Sequence, residues 1–129
     1  AYRSVKGPKD EWFVSALLQF DDSSSESINI KQLLAKRAET QPTGTANCGS
    51  VFRNPENDYA ARLIEECGLK GKRLGGAVVS EKHANFIIND QQATAADIEA
   101  LIKVVQKTVK DQAGVELQTE VKIVGEKKL

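Results

Sequence analysis

Methionine is absent from all 129 residues, including the first, which is alanine. The expectation drawn from that absence is a piece cut from a longer protein. Cysteine is scarce as well: Cys48 and Cys67 are too few for a disulfide framework and lack metal-ligand spacing. A single histidine, His83, excludes a multi-histidine centre, so no metal site is expected. Nothing around Cys48 and His83 has the look of a cysteine-hydrolase motif. Net charge is missing too. Eighteen basic residues balance eighteen acidic ones, leaving no overall field to draw nucleic acid or an anionic membrane. No apolar run approaches the roughly 18 to 20 residues of a bilayer span, and the opening residues do not read as a signal peptide. A cytoplasmic location without nucleic-acid or membrane partners is the expectation. The chain also lacks a P-loop. Its glycine-rich stretch GLKGKRLGG (68–76) has the wrong spacing for a dinucleotide fingerprint and follows a helical pattern instead of a strand. Lys70, Lys72 and Arg73 there read as a solvated basic turn or, alternatively, as phosphate contacts.

What is present describes one soluble domain, 40% hydrophobic and 28% charged, long enough to bury a core without staples. The pattern along the chain predicts an α+β fold: a single compact domain, a small sheet packed against about three helices. EWFVSALLQF (11–20) alternates Trp12, Val14, Ala16, Leu18 and Phe20 on one face and reads as a long strand. After the polar loop at 21–27, Ser27 is placed to cap a helix running to about residue 40, with Ile30, Leu33, Leu34 and Arg37 along it and Pro42 beyond its end. DYAARLIEECGL carries the stripe Leu63, Ile64 and Cys67, with Gly68 as a left-handed cap and Leu69 folding back. Cys67 is then a small core residue. Two short strands surround the turn SEKH within 75–89. Thr94 and Asp97 form a variant capping box for the strongest helix, whose buried stripe is Ile98, Leu101, Ile102, Val105 and Val109 and whose end is Gly114. Lys107 and Lys110 suit the negative end of its dipole. A last strand is expected at 115–125, with Val115, Leu117, Val121 and Ile123 on one face.

One stretch raises a chemical question. GTANCGSVFRNP (44–55) sets Ser50 behind a glycine, where a backbone can come close to another group. Gly49 permits a tight turn before a short strand; equally, an uncluttered backbone lets the Ser50 hydroxyl reach a ligand.

Three segments carry a resemblance: GSVFRNP, YAARLIEECGLKGKRLGGAVVSEKHANFIIN and GVELQTEVKIVGE. In this order and spacing they resemble the UDP-N-acetylenolpyruvoylglucosamine reductase (MurB) family, from about Tyr2 to Glu126. The resemblance is to the C-terminal, substrate-binding domain, in the branch lacking the tyrosine-bearing insertion. It implies residues 1–10 as a junction from an FAD-binding region, 11–126 as the domain, and 127–129 as a tail. It further implies reduction of the enolpyruvyl ether of UDP-N-acetylglucosamine to UDP-N-acetylmuramate, a peptidoglycan precursor, with FAD and NADPH as cofactors of the whole enzyme. The FAD-binding region of the same protein becomes the expected partner, and this chain alone is expected to bind no FAD and to be inactive.

The same resemblance implies roles residue by residue. Arg3 matches a Tyr-Arg motif and would pair with the enolpyruvyl carboxylate. Ser50 would protonate the developing carbanion, with Gly49 clearing space for it. Glu120 would act beside the same intermediate as an acid or electrostatic partner. Without the resemblance these would be a terminal arginine, a strand-start serine and a solvated strand residue. Asn54 matches a sugar-nucleotide contact, and Lys82 and His83 lie in a turn near the substrate in relatives. Two positions depart from the family: Cys48 stands where alanine is more usual, and Thr40 where a lysine is expected. The competing function is a stand-alone regulatory module that binds a nucleotide-sugar without catalysis.

Overall fold

The computed structural model describes Gly7, Trp12, residues 14–19 and residues 29–125. Three helices and a four-stranded sheet make up an α+β domain, as the pattern predicts: α1 (Ile30–Thr40), β1 (Asn47–Ser50), α2 (Ala60–Glu66), β2 (Arg73–Leu74), β3 (Ala77–Val79), β4 (Phe86–Asn89) and α3 (Ala95–Ala113).

The sheet is antiparallel throughout, in the order β1-β4-β3-β2. β2, β3 and β4 form a meander because each turn between them is short and polar, and β1 closes on the free edge of β4. One face is covered by α3, which also packs against α2. The core between them gathers Val51, Phe52, Leu63, Ile64, Val79, Leu101, Val105, Val109 and Leu117. Fully burying a side chain the size of Leu101 stabilises the fold by about 1.5–3 kcal/mol, so this cluster dominates the energetics.

Local signals account for the helix ends. Thr94 Oγ1 accepts the Asp97 N–H at 3.1 Å, and Asp97 Oδ2 accepts the Thr94 N–H at 2.9 Å, completing the capping box. Those Thr94 bonds hold the Asp97 carboxyl below its ordinary range. The cap is therefore intact above that range and weakens as pH falls through the lowered value. Gly114 ends α3 at φ 69°, and Gly68 ends α2 at φ 66°, each in the left-handed region that glycine tolerates. Leu69 folds back and is buried, as expected.

Several expectations are corrected. The helix at 30–40 is capped by Asn29, whose side chain accepts the Gln32 N–H at 3.3 Å; Ser27 lies outside the described residues. No residue of α1 is buried, so Ile30, Leu33 and Leu34 remain exposed. The described residues of 11–20 form no strand, and Trp12, Val14, Leu17 and Leu18 are exposed. Alternation builds an apolar face, but a strand also needs a partner for its backbone groups, and the described sheet supplies none there. At 115–125 the long strand reduces to one bridge, Phe52 to Thr119. Its partner is only the short run 51–53, which ends at Asn54 and Pro55. Val115, Leu117 and Val121 still pack on the core, but Ile123 is exposed, contrary to expectation. Gln106 Nε2 donates to the Leu117 carbonyl at 2.8 Å to hold the segment on α3.

Gly76 is where the backbone itself leaves no room. A Cβ there would press on the Gln91 carbonyl oxygen and lie 2.5 Å from Ala93 N. The Gly76 carbonyl also accepts the Asp90 and Gln91 N–H groups, at 3.0 and 3.1 Å. Gly76→Ala is expected to destabilise the domain by about 1–3 kcal/mol or more, because backbone cannot yield as a side-chain tip can. A urea midpoint equal to that of the native protein would refute this.

Candidate functional site

Ser50, expected to start a short strand, instead ends β1, on a bulge. Asn47 pairs with Ile88 and Ser50 with Phe86, so three steps on β1 oppose two on β4. Gly49 absorbs the extra residue at φ 84°. A Cβ at Gly49 would meet nothing within 4 Å, so within this chain its backbone angle, more than crowding, requires glycine. Asn47 secures the approach: its Oδ1 accepts the Gly49 N–H at 2.9 Å, and its Nδ2 donates to the Pro42 carbonyl at 3.1 Å.

Ser50 lines a cleft of about 530 Å³ together with Arg37, Thr43, Thr45, Asn47 and Phe86. The lining is polar, and its cation comes from α1. Arg37 Nε donates to Gln41 Oε1 at 3.2 Å. Arg37 had a place in the sequence pattern only as a member of the helix stripe; no spacing rule points it at Ser50, because the loop 41–46 brings α1 back over β1. A second cleft, of about 730 Å³, lies against β1, β4 and α3, lined by Cys48, Val51, Ile98, Ile102 and Val121 among others. It is larger but mainly apolar and does not include Ser50, so the smaller cleft is the candidate site. Cys48 is exposed and belongs to the apolar cleft.

Glu120 reaches Ser50's neighbourhood through the backbone. Its N–H donates to the Val51 carbonyl at 2.8 Å, and the Val121 N–H adds a longer bond to the same oxygen at 3.4 Å. Two positions seventy residues apart in the chain are thereby joined one residue from Ser50. One carboxylate oxygen of Glu120 is buried.

His83 is half-buried and lies edge-on to Phe86, ring centroids 4.8 Å apart, where Phe86 is the β4 partner of Ser50. Burial lowers its pKa, favouring the neutral ring. Its Nδ1 accepts the Asn85 N–H at 3.3 Å, so the neutral ring carries its proton on Nε2. Lys82 Nζ donates to the Ala38 carbonyl of α1 and lines a neighbouring cleft of about 470 Å³, which shares Pro42, Thr43 and Thr45 with that of Ser50. Asn54 is placed differently. Its Oδ1 accepts the Ala60 N–H at 3.1 Å, supplying α2 with the cap that Tyr59 lacks, and it lines a separate cleft of about 280 Å³. Thr40 donates to the Lys36 carbonyl at 3.1 Å within α1. Arg3 lies outside the described residues.

The structure thus bonds the Glu120 backbone to the residue after Ser50 and sets His83 against Phe86, the β4 partner of Ser50, although neither lines the Ser50 cleft. Lys82 lies in the adjoining cleft, and Asn54 has a structural bond. A residue with no role in the sequence reading, Asn85, joins these parts. Its side chain bonds both backbone groups of Phe52. A polar residue buried inside the apolar run ANFII is the signal that marks it.

The glycine-rich stretch 68–76 does not form a dinucleotide-binding loop. At 68–76 the glycines form a helix cap and a hairpin turn, and the Glu81 and Asp97 carboxylates lie over Gly71 and Gly75, where they would repel phosphate. Among the described residues no group of three or more His, Cys, Asp or Glu side chains could hold a metal, and no helix is long and apolar enough to cross a membrane.

Three helices and a four-stranded antiparallel sheet define a domain of the α+β class. Residues 41–124 match the family model described as UDP-N-acetylenolpyruvoylglucosamine reductase, C-terminal domain, and the chain belongs to that family. It is 63% identical over 129 residues to the UDP-N-acetylenolpyruvoylglucosamine reductase of Legionella pneumophila (strain Corby), covering 98% of this chain and 42% of that protein. The namesake from Methylococcus capsulatus is 58% identical over 127 residues, covering 97% of this chain and 42% of that protein. The crystal structure of UDP-N-acetylenolpyruvylglucosamine reductase (MurB) from Thermus caldophilus superposes with a TM-score of 0.59 at 35% identity, covering 71% of this chain and 32% of that one. The chain spans about two-fifths of the length of the curated relatives it matches.

Proposed function

We propose that this chain is the substrate-binding part of a reductase that converts the enolpyruvyl ether of UDP-N-acetylglucosamine to UDP-N-acetylmuramate in peptidoglycan precursor synthesis. Residues 11–126 form that domain, following the junction 1–10. The observation supporting the reading is the junction itself: a serine on a bulge, facing a polar cleft with an arginine, and bonded one residue away to the segment that bears Glu120. FAD reduced by NADPH would supply the hydride, and this reading assigns their binding to protein beyond these 129 residues.

The share left to this chain is binding and proton transfer. Reduction of the enolpyruvyl double bond is complete when a proton reaches the carbon beside the carboxylate. Ser50 supplies that proton from its hydroxyl and regains one from water in the open cleft. Glu120 acts from the neighbouring segment, as an acid or by its field, while negative charge is present on the substrate. Arg3 and Arg37 offer fixed charges for the carboxylate or the diphosphate. His83 and Lys82 border the ligand, and Asn54 contributes to the sugar-nucleotide side.

Purified chain is expected to be colourless, without a flavin band near about 450 nm. Yellow protein that keeps stoichiometric FAD through gel filtration would contradict the division of labour. Titration calorimetry with UDP-N-acetylglucosamine and with the enolpyruvyl substrate tests binding by the isolated chain. Full-length protein oxidising NADPH over many turnovers only when the enolpyruvyl substrate is present tests the reaction. Binding of both ligands without that oxidation would favour a regulatory module.

A further inference from the structure

Asn85 precedes β4 and is only 4% exposed. Its Oδ1 accepts the Phe52 N–H at 2.9 Å, and its Nδ2 donates to the Phe52 carbonyl at 2.8 Å. Its own backbone carbonyl accepts the Val51 N–H at 2.9 Å. The amide side chain thus stands in for a strand backbone and continues the β1–β4 pairing past Ser50. The opposite side of the same run is held by 118–121: Arg53 N–H donates to the Gln118 carbonyl at 2.9 Å, and Glu120 N–H to the Val51 carbonyl at 2.8 Å.

Upstream of Ser50 the bulge breaks the β1–β4 register, and the bulged backbone is held by the Asn47 side chain instead of by ladder bonds at Cys48 and Gly49. The Glu120 segment pairs with the run just downstream of Ser50, so the register between them depends on that run, and Asn85 grips it. The grip is itself braced. Ser80 Oγ accepts the Lys82 and His83 N–H groups at 3.1 and 3.2 Å, and His83 Nδ1 accepts the Asn85 N–H. We propose that Asn85 is a positioning residue that holds Ser50 in register with the Glu120 segment for proton delivery. The inference rests on the function proposed above.

The test compares Asn85→Asp and Asn85→Leu in the full-length enzyme, following separately flavin reduction by NADPH and flavin reoxidation by the enolpyruvyl substrate. A protonated carboxyl reproduces the amide's one donor and one acceptor, whereas a carboxylate turns a second acceptor on the Phe52 carbonyl. Burial raises the pKa of the introduced carboxyl, so lowering the pH restores the missing donor. Relative to native enzyme at each pH, reoxidation in Asn85→Asp should rise roughly tenfold from about pH 8 to about pH 5.5. Asn85→Leu should remain slower by on the order of 10²-fold across that range, the usual effect of small misplacements. Reduction by NADPH should stay within about threefold of native in both variants. His83 is the titratable residue bonded to the clamp, with Lys70 and Glu65 the charged groups acting on it, and because His83 also titrates in native enzyme, only the ratio to native is read.

A pH-independent ratio in Asn85→Asp, native-like reoxidation in Asn85→Leu, or equal slowing of both half-reactions would overturn the proposal. If Asn85→Leu does not fold, Asn85→Asp compared at the two pH values decides alone. Absence of substrate-dependent reoxidation in native enzyme would instead refute the proposed function. The clamp is then judged by hydrogen exchange, with faster exchange of the Phe52 and Glu120 amides in the variants supporting it and unchanged protection refuting it.

Discussion

Ser50→Ala in the full-length enzyme is expected to lower turnover by about 10² to 10⁴, the range for a positioned general acid. A serine hydroxyl is a weak acid in water. A carbanion held in contact with it is a strong enough base to take its proton, and the bulge at Gly49 turns that hydroxyl into a cleft with room for a ligand. The backbone pairing of Ser50 with Phe86 does not depend on the side chain, so the variant should fold. Flavin reduction by NADPH precedes attack on the enolpyruvyl group, and its rate should barely change. Ser50→Cys should recover part of the loss, since a thiol also donates a proton. Stopped-flow traces of the two half-reactions decide the matter. If flavin reduction slows as much as overall turnover, Ser50 supports the fold or NADPH binding and the proton-donor role is wrong.

Glu120→Gln should cost on the order of 10² in turnover, with a smaller change in the substrate constant. The replacement keeps size and removes both charge and acidity. It also keeps the backbone N–H that donates to the Val51 carbonyl, so the junction with the Ser50 strand stays closed. A loss confined to turnover therefore reports chemistry and not a displaced segment. Unchanged turnover with a much weakened substrate constant would show that Glu120 only holds the ligand.

Both experiments address residues that the motifs GSVFRNP and TEVKI make visible, whereas Asn85, Arg37 and the cap that Asn54 gives α2 are not visible there. Asn85 sits within an apolar run, and nothing in its spacing says that its amide will meet Phe52, 33 residues earlier. Arg37 reads as one more turn of α1 until the loop at 41–46 folds that helix toward β1. Asn54 reads as part of a ligand motif, yet its Oδ1 is held by the first amide of α2. Hydrogen-bond partners of this kind depend on through-space distance, which a linear pattern does not encode.

By itself the sequence determined the elements whose causes are local. The capping box at Thr94, the left-handed ends at Gly68 and Gly114, the stripe from Leu101 to Val109 and the two strands around SEKH each follow from neighbours within a few residues, where backbone sterics and periodicity act directly. Tertiary structure decided what depends on a distant partner. The alternating residues at 14–19 have the composition of a strand and form none among the described residues, while 115–125 keeps Val115, Leu117 and Val121 on the core, exposes Ile123 and makes only one bridge. Backbone donors and acceptors are paired only where another segment arrives in register, and that arrival is set by how α3, β4 and the bulged β1 pack. The pairing of the Glu120 segment with the residue after Ser50 is of this second kind: each residue is legible alone, and the bond from the Glu120 amide to the Val51 carbonyl exists only in the folded chain.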